Sequence, residues 1–424
     1  MFTQYYSSRA RVSEALRRLG ERRAVATALR RFSRLKSSLS KRLDLEALAE
    51  RLSEARRRTL AQLSELVKQA AESLEENGFQ VHYARDAREA RRIAEKLVEP
   101  GSLVVKSKSS AIEEAGIAEH LRSLGSEVYE TDLGEYAVQL ARSHRAHPIV
   151  PALHLSREKI AELVSMDVGY KVPPDPREIT KAVRRRLREV FTKAGYGLTG
   201  ANFISAEEGV IALVSNEGNI RNSTSFPKTH IAVAGLNKVV RDLDEGLLVI
   251  RALAPFSIGS RLPSYVSLIA GPSKTADIEL ETVVGVHGPS EVHVILLDNG
   301  RSRAWDLGVE EALCCINCGG CLNECPAYTI AGRAYGHVYK GGIGVVYTAL
   351  TEGLEKAVEA GLYLCTTCGR CVLSCPCRIN TPALVERLRE AAARRGLMAE
   401  PHYRWLSSPR ELQDDKPLEE QLPL

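Results

Sequence analysis

The spacing of apolar positions divides the chain into three kinds of segment. Between residues 8 and 76 apolar side chains recur at helical intervals among many arginines, as at Leu45, Leu48 and Leu52 and again at Leu60, Leu63 and Val67. This predicts two or three amphipathic helices in a helical N-terminal region, residues 1–78. The run Arg56, Arg57, Arg58 reads as a solvated helix face, with a docking surface for an acidic partner as the alternative.

From Phe79 the period changes. Short β-rich runs (FQVHYA, SLVVKS, SEVYETD, HPIVPAL) alternate with helical ones (AREARRIAEKL, EEAGIAEHLRSLG, GEYAVQLARS, SREKIAELV). A long basic helix over Pro176 to Lys193, opened by proline in its first turn, and four further strands (VIALVS, HIAVAGL, SYVSLIAG, EVHVILLDNG) follow. Alternation of this kind predicts an α/β domain over 79–303 with a mainly parallel sheet covered by helices. The composition then shifts to cysteine, glycine and helix formers, giving a C-terminal helical domain over 304–398, and ends in a polar, loosely ordered tail over 399–424.

With 44% hydrophobic and 26% charged residues the chain falls in the globular class, and disordered or collagen-like readings drop out. A formal charge of +5 is too mild to point to nucleic acid. No apolar stretch approaches the ~20 residues that span a bilayer, so no transmembrane segment is expected. The start, MFTQYYSSRARVSEALRR, has no apolar run of a secretory signal, and the expectation is a cytoplasmic protein.

All ten cysteines lie between Cys314 and Cys377. A disulfide framework would spread them along the chain, so the clustering points to metal or redox chemistry. Eight fall into two runs ending in Cys-Pro: Cys315, Cys318, Cys321 and Cys325, then Cys365, Cys368, Cys371 and Cys375. Three cysteines at three-residue spacing wrap one face of a [4Fe–4S] cubane, and in two-cluster proteins the cysteine before proline ligates the other cluster. The expected sets are therefore Cys315, Cys318, Cys321 and Cys375 for one [4Fe–4S] cluster, and Cys365, Cys368, Cys371 and Cys325 for a second. Two structural zinc sites are the competing reading, although these usually pair two C-x-x-C knuckles. Cys314 and Cys377 fit neither register and read as inert buried thiols.

Cys365 follows Cys325 by 40 positions, and the stretch between them includes the helical TALTEGLEKAVEAGLYL. This wide gap resembles the helical ferredoxin modules of succinate dehydrogenase and heterodisulfide reductase subunits, which relay electrons between proteins. Upstream, KSKSS (106–110), TDLGEYAVQLARSHRAHPIVPALHLSR (131–157), GLTGANFISAEEGVIALVSNEGN (197–219), PKTHIAVAGLNK (227–238) and GPSEVHVILLDNGRS (288–302) run in order into EALCCINCGGCLNECPAY. Together these stretches resemble the iron–sulfur subunit of the three-component lactate-utilisation system, a lactate-utilisation domain followed by a two-cluster ferredoxin module. Cys314 and Asn317 stand where that family's pattern carries arginines.

The resemblance implies an α/β fold shared with sugar-phosphate isomerases and coenzyme A transferases. It also implies an electron-transfer role in NAD-independent oxidation of L-lactate or a related 2-hydroxy acid. Partners would be the other subunits of a lactate-oxidising complex and, through them, an acceptor protein or membrane quinone, which would place the chain peripherally at a membrane. Two other readings stand beside it: the α/β domain is itself the metabolite-binding catalytic unit, or the chain is a ferredoxin-like adaptor of another dehydrogenase.

The residues themselves suggest an anion or substrate site. Lys106, Lys108, Arg221 and Lys228 lie in or beside Gly/Ser-containing loops at predicted strand ends, where open α/β sheets place ligands, and Asn216, Glu217, Gly218 and Asn219 form a polar turn that could close over one. Loops satisfied by their own hydrogen bonds are the plain alternative. His144, His147 and His154 match no zinc spacing and read as polar packing. No dinucleotide, Walker or nucleophile-elbow motif is present.

Overall fold

The computed structural model describes residues 3–398, and the tail expected over 399–424 lies outside the described residues. The N-terminal region forms four helices rather than two or three: Thr3–Arg17, Leu19–Ser40, Leu45–Ala61 and Leu63–Glu76. The third starts where the Asp44 carboxylate accepts the Ala47 N–H at 2.9 Å. Buried Leu29, Leu52 and Leu74 fuse these helices to the α/β and cysteine-bearing segments in one continuous core.

Six strands form an all-parallel sheet in the spatial order Gln80–Ala84, Glu291–Leu297, Thr229–Gly235, Tyr196–Gly200, Leu103–Lys106, Glu127–Glu130. Side chains alternate between its faces. Ile231 and Val233 pack under the helices Ala87–Leu97, Ser110–Ala115 and Ile117–Ser123, while Ala232 and Ala234 face the core shared with the N-terminal helices. The basic helix spans Pro176–Lys193 as its sequence predicts, capped by Asp175, and packs beside Arg157–Val168. A second, four-stranded sheet (Val239–Val240, Phe203–Ser205, Val210–Ser215, Tyr265–Ile269) lies beyond the carboxyl ends of the first.

Three readings of local sequence change. HPIVPAL is turn rather than strand. Pro148 and Pro151 offer no ladder N–H, and the His147 Nδ1 accepts from Ile149 N at 3.1 Å and Val150 N at 3.3 Å. The helix expected from EEAGIAEHLRSLG breaks in two at Gly116, which adopts φ +65°. Arg56 leaves the solvated face: it is 3% exposed, donates to the carbonyls of Asn237 (2.7 Å), Val239 (3.0 Å) and Leu313 (3.3 Å), and pairs with Glu245 at 3.2 Å. One guanidinium thus ties an N-terminal helix to the α/β domain and to the approach of the first cysteine run.

His230, on the central strand, is fully buried with Nε2 2.8 Å from Thr199 Oγ1. Burial first, and His293 second, push its imidazole down to about 4. An unfolded imidazole protonates near 6.5, so between those values the unfolded chain holds the extra proton, and His230 stabilises the fold above pH 6.5 and loses that contribution as pH falls toward 4. His230→Gln is therefore expected to flatten the fall of the unfolding free energy, read from urea titrations over this window, by up to ~1.4 kcal/mol per pH unit. An unchanged slope would contradict this assignment.

Candidate iron–sulfur site and the adjoining cavity

The two cysteine runs adopt one backbone twice. Each enters from a short 3-10 helix, Glu310–Cys314 or Leu362–Leu364, into a cysteine with nearly the same dihedrals (Cys315 φ −65°, ψ 125°; Cys365 φ −66°, ψ 124°). Two residues on, Asn317 (φ +59°) and Thr367 (φ +50°) turn left-handed, and Gly319 and Gly369, both at φ +75°, open the short helices Gly320–Asn323 and Arg370–Leu373. Asparagine tolerates that conformation, whereas β-branched threonine is strained by ~1–3 kcal/mol. Thr367→Asn, which copies the first run, is expected to raise the unfolding free energy of the loaded protein by roughly 1 kcal/mol; a lowered value would argue against the strain.

Backbone N–H groups approach the sulfurs. Asn317 N lies 3.4 Å from Cys315 Sγ, Gly320 N 3.5 Å from Cys318 Sγ and Tyr328 N 3.4 Å from Cys325 Sγ. Gly320 must be glycine here, because a Cβ would stand 2.5 Å from the carbonyl oxygen of Phe256 on helix Leu243–Ile258. That close approach seats the first loop on the α/β domain.

The thiols group around two cavities. Cys315, Cys318, Cys321, Cys375 and Cys377 border one cavity; Cys325, Cys365, Cys368 and Cys371 border a second, and Cys321 touches both. Among the described residues, no three His, Cys, Asp or Glu side chains are close enough to share one metal ion. Thiols around a void rather than a point suit a polynuclear cluster better than zinc, whose four ligand atoms stand ~2.0–2.3 Å from a single centre. Burial pushes Cys318 and Cys325 up to about 11 and Cys375 up to about 12. Such thiols ionise only beside strong positive charge, which cluster iron supplies. The residues present therefore fit two [4Fe–4S] groups.

The two cavities differ in exposure. Cys318 is 7% exposed and Asn323 8%, whereas the matching Cys368 is open to solvent and Leu373 is 89% exposed. The Arg370 N–H, more than any other neighbour, holds the Cys368 thiol below its usual range. Cys377 lines the first cavity, Cys314 is buried against the N-terminal helix of Arg56, and both stay protonated. Burial lifts Cys314 to about 11, and its Sγ lies 3.7 Å from the Arg56 carbonyl oxygen, within reach of a weak S–H bond. His147 packs its buried ring beside Gly319, burial driving it down to about 3.

A cavity of about 270 Å³ lies between the carboxyl ends of the parallel strands and the first cysteine loop, where Asn317 and Cys318 reach its wall. Of the anion-site residues expected from sequence, Lys108, Asn216, Glu217 and Asn219 line it, and Lys106, Gly218, Arg221 and Lys228 do not. Lys106 is locked to Glu130 at 2.7 Å, facing a separate cleft. Gly218 (φ +81°) opens the helix Asn219–Ser225, Arg221 stacks on Tyr265 with 5.0 Å to the ring centroid, and Lys228 is exposed before the amino end of strand Thr229–Gly235. Asn219 bridges Ser215 Oγ (2.9 Å) and Thr131 Oγ1 (3.1 Å), and Lys108 pairs with Asp132 at 3.2 Å. Sequence reasoning missed Ser107, Lys238, Ser257 and Arg301, which also line the cavity. Their position at parallel-strand ends was the available signal.

Comparison with known families adds the deciding observation: the LUD domain matches residues 67–297 and a 4Fe-4S dicluster domain residues 311–379. The chain belongs to the LUD-domain family. The LUD domain here is the parallel-sheet unit, and [4Fe–4S] clusters are the cofactors of the dicluster domain that follows it. Relatives include the uncharacterized electron transport protein YkgF of Escherichia coli (strain K12), 36% identical over 387 residues, spanning 90% of this chain and 80% of that protein. Lactate utilization protein B of Shouchella clausii (strain KSM-K16) is 37% identical over 391 residues, with the same shares. A crystal structure of a DUF162 family protein from Deinococcus radiodurans covers 55% of this chain and 98% of its own at 17% identity, with a TM-score of 0.31. No helix among the described residues is long and apolar enough to cross a membrane.

Proposed function

We infer that this chain is the iron–sulfur electron-transfer subunit of an NAD-independent L-lactate (2-hydroxy acid) oxidising complex. Cys315, Cys318, Cys321 and Cys375 would hold one [4Fe–4S] cluster, and Cys365, Cys368, Cys371 and Cys325 the other. When bound, each cluster carries one electron at a time. The observation that carries the reading is the graded burial of two adjoining cysteine loops, the first packed on the LUD domain with Cys318 buried and the second exposed at Cys368 and Leu373. Electrons arriving beside the LUD domain could pass through the cavities' shared edge at Cys321 and leave near Cys368.

The protein's own residues set the conditions of that path. Buried Leu313, Ile316 and Leu322 exclude water from the first cluster, and backbone N–H groups of Asn317 and Gly320 stabilise its sulfurs' negative charge. The names of the relatives support lactate utilisation as the setting and partner subunits as the donor and acceptor. A membrane quinone would be reached through such a partner.

The test is lactate oxidation with an artificial acceptor. The purified, cluster-loaded chain should be inactive alone and should be reduced by lactate only when partner subunits are added. Sustained oxidation by the chain alone would overturn the relay and make the LUD domain the catalytic unit.

A further inference from the structure

Arg56 to Arg58 form no free basic patch: Arg56 is internal, and Arg57 and Arg58 pair with Glu311 and Glu54. A different set of cations is left open. On the helix Leu19–Ser40 and just after it, Arg23, Arg30, Arg31, Arg34, Lys41 and Arg42 are exposed, and among the described residues none of these side chains has a hydrogen-bond or ion-pair partner. Arg23, Arg30 and Arg34, seven and four positions apart, form one stripe on the side away from buried Val25 and Leu29. The helix's one acid, Glu21, is taken by Arg333 at 3.0 Å. Other exposed cations pair one turn away, as Lys159 does with Glu162 at 2.9 Å, Lys181 with Glu178 at 2.7 Å and Arg394 with Glu390 at 2.6 Å. Like charges one turn apart, Arg30 and Arg31 against Arg34, weaken a helix, so local stability does not account for the stripe.

The stripe leads to the second cysteine loop. A groove of about 770 Å³ separates the end of the helix from that loop, with Ser37, Lys41 and Arg42 on one wall and Arg370 and Leu373 on the other. Acids in the groove are engaged within the protein: Asp44 accepts the Ala47 N–H at 2.9 Å, Glu324 accepts the Ser33 hydroxyl at 2.7 Å, and Glu46 pairs with Arg378. Lys41, Arg42 and Arg370 remain without a partner among the described residues. Leu373, 89% exposed, stands among these cations, and Cys368 is open to solvent on the same loop. An apolar centre within a charged rim is the anatomy of a protein contact. A bilayer surface is flat and would leave a concave groove unfilled, so the shape favours a protein.

We propose that this surface docks an acidic electron-carrier protein, its carboxylates on Arg34, Lys41, Arg42 and Arg370 and an apolar patch on Leu373. One electron then leaves the reduced second-run cluster near Cys368 and reduces the carrier's oxidised centre. The surface deepens the relay reading and rests on it for the direction of electron flow. Contacts of this kind are small and depend on charge for encounter, which makes their rate fall with salt.

The experiment uses the full, cluster-loaded chain, reduced anaerobically, freed of reductant and mixed in stopped flow with two ferric haem proteins. Soluble cytochrome b5 is acidic and cytochrome c is basic; absorbance reads the one-electron reduction of each haem. From about 20 to about 500 mM salt the rate with cytochrome b5 is expected to fall at least about tenfold, and that with cytochrome c to rise or stay level. The variant Arg34→Gln, Lys41→Gln, Arg42→Gln should slow cytochrome b5 reduction about tenfold at low salt and little at high salt. An equal charge change on exposed positions of the helix Pro176–Lys193, Arg184→Gln, Arg185→Gln, Arg188→Gln, should alter it less than about twofold. Calorimetry of the oxidised chain with cytochrome b5 reads docking without electron flow. The same salt dependence with both carriers, or equal losses in the two variants, would overturn the proposal. So would cosedimentation with phosphatidylglycerol vesicles, lost in the first variant, without calorimetric binding of cytochrome b5; the surface would then be a membrane contact. Salt-sensitive binding of cytochrome b5 that the first variant loses, with no haem reduction, would sink the relay reading and leave the docking surface standing.

Discussion

Cys375→Ser is expected to abolish the cluster of the first cysteine run while the second run keeps its own. Cys375 lies in the second run by sequence, yet its thiol borders the cavity of Cys315, Cys318 and Cys321, and the charges it feels most among the thiols are those of Cys318 and Cys315. Iron should fall by half, to about four per chain. The EPR signal lost should match the one lost in Cys318→Ser and differ from the one lost in Cys368→Ser. Cys325→Ser should give the reciprocal result, since Cys325 faces Cys365 and Cys371. If Cys375→Ser behaves like Cys368→Ser, each run serves its own cluster and the crossed assignment fails.

The second large effect concerns Arg301, which is fully buried where the LUD domain meets the dicluster domain. Its guanidinium forks onto Glu114 with two 2.8 Å bonds and donates to Asn237 Oδ1 at 2.8 Å, while Tyr339 and Asn299 donate to the same carboxylate at 2.6 and 2.7 Å. Glu114 belongs to the LUD sheet's covering helices and Tyr339 to the loop after the first cysteine run. Arg301→Met leaves a buried carboxylate without its counter-charge, a loss of ~3–5 kcal/mol. Arg58→Met removes only a solvent-exposed contact, 3.9 Å from Glu54, and should stay within ~0.5 kcal/mol. Urea midpoints of the two variants check this; equal midpoints would show that the Arg301 pair does not secure the junction.

Much of this was legible in the chain because local rules and tertiary packing agree. The Pro176–Lys193 helix carries its own start signal in Asp175-Pro176, and the strand residues Ile231 to Ala234 are apolar on both faces as a buried parallel strand must be. The cysteine runs announced their chemistry by spacing alone. What stayed hidden depends on partners distant in sequence. Arg56 looks like its neighbours Arg57 and Arg58 until Glu245 and three carbonyls close around it. HPIVPAL has strand composition, but its two prolines and the His147 imidazole commit it to turns. Period-two alternation would put Lys106 and Lys108 on one face, but the strand ends at Lys106 and the chain turns beyond it, so one reaches Glu130 and the other the cavity. Lys238 had no distinguishing neighbour in sequence, and only the sheet topology brings it to the cavity.

The central claim is that this LUD-domain protein carries two [4Fe–4S] clusters as an electron path. Iron and sulfide counting on anaerobically purified chain, with EPR after reduction, tests it most directly. The account predicts about eight iron and eight sulfide per chain and two interacting reduced-cluster signals. Zinc without sulfide, or about four iron with a single signal, would contradict it.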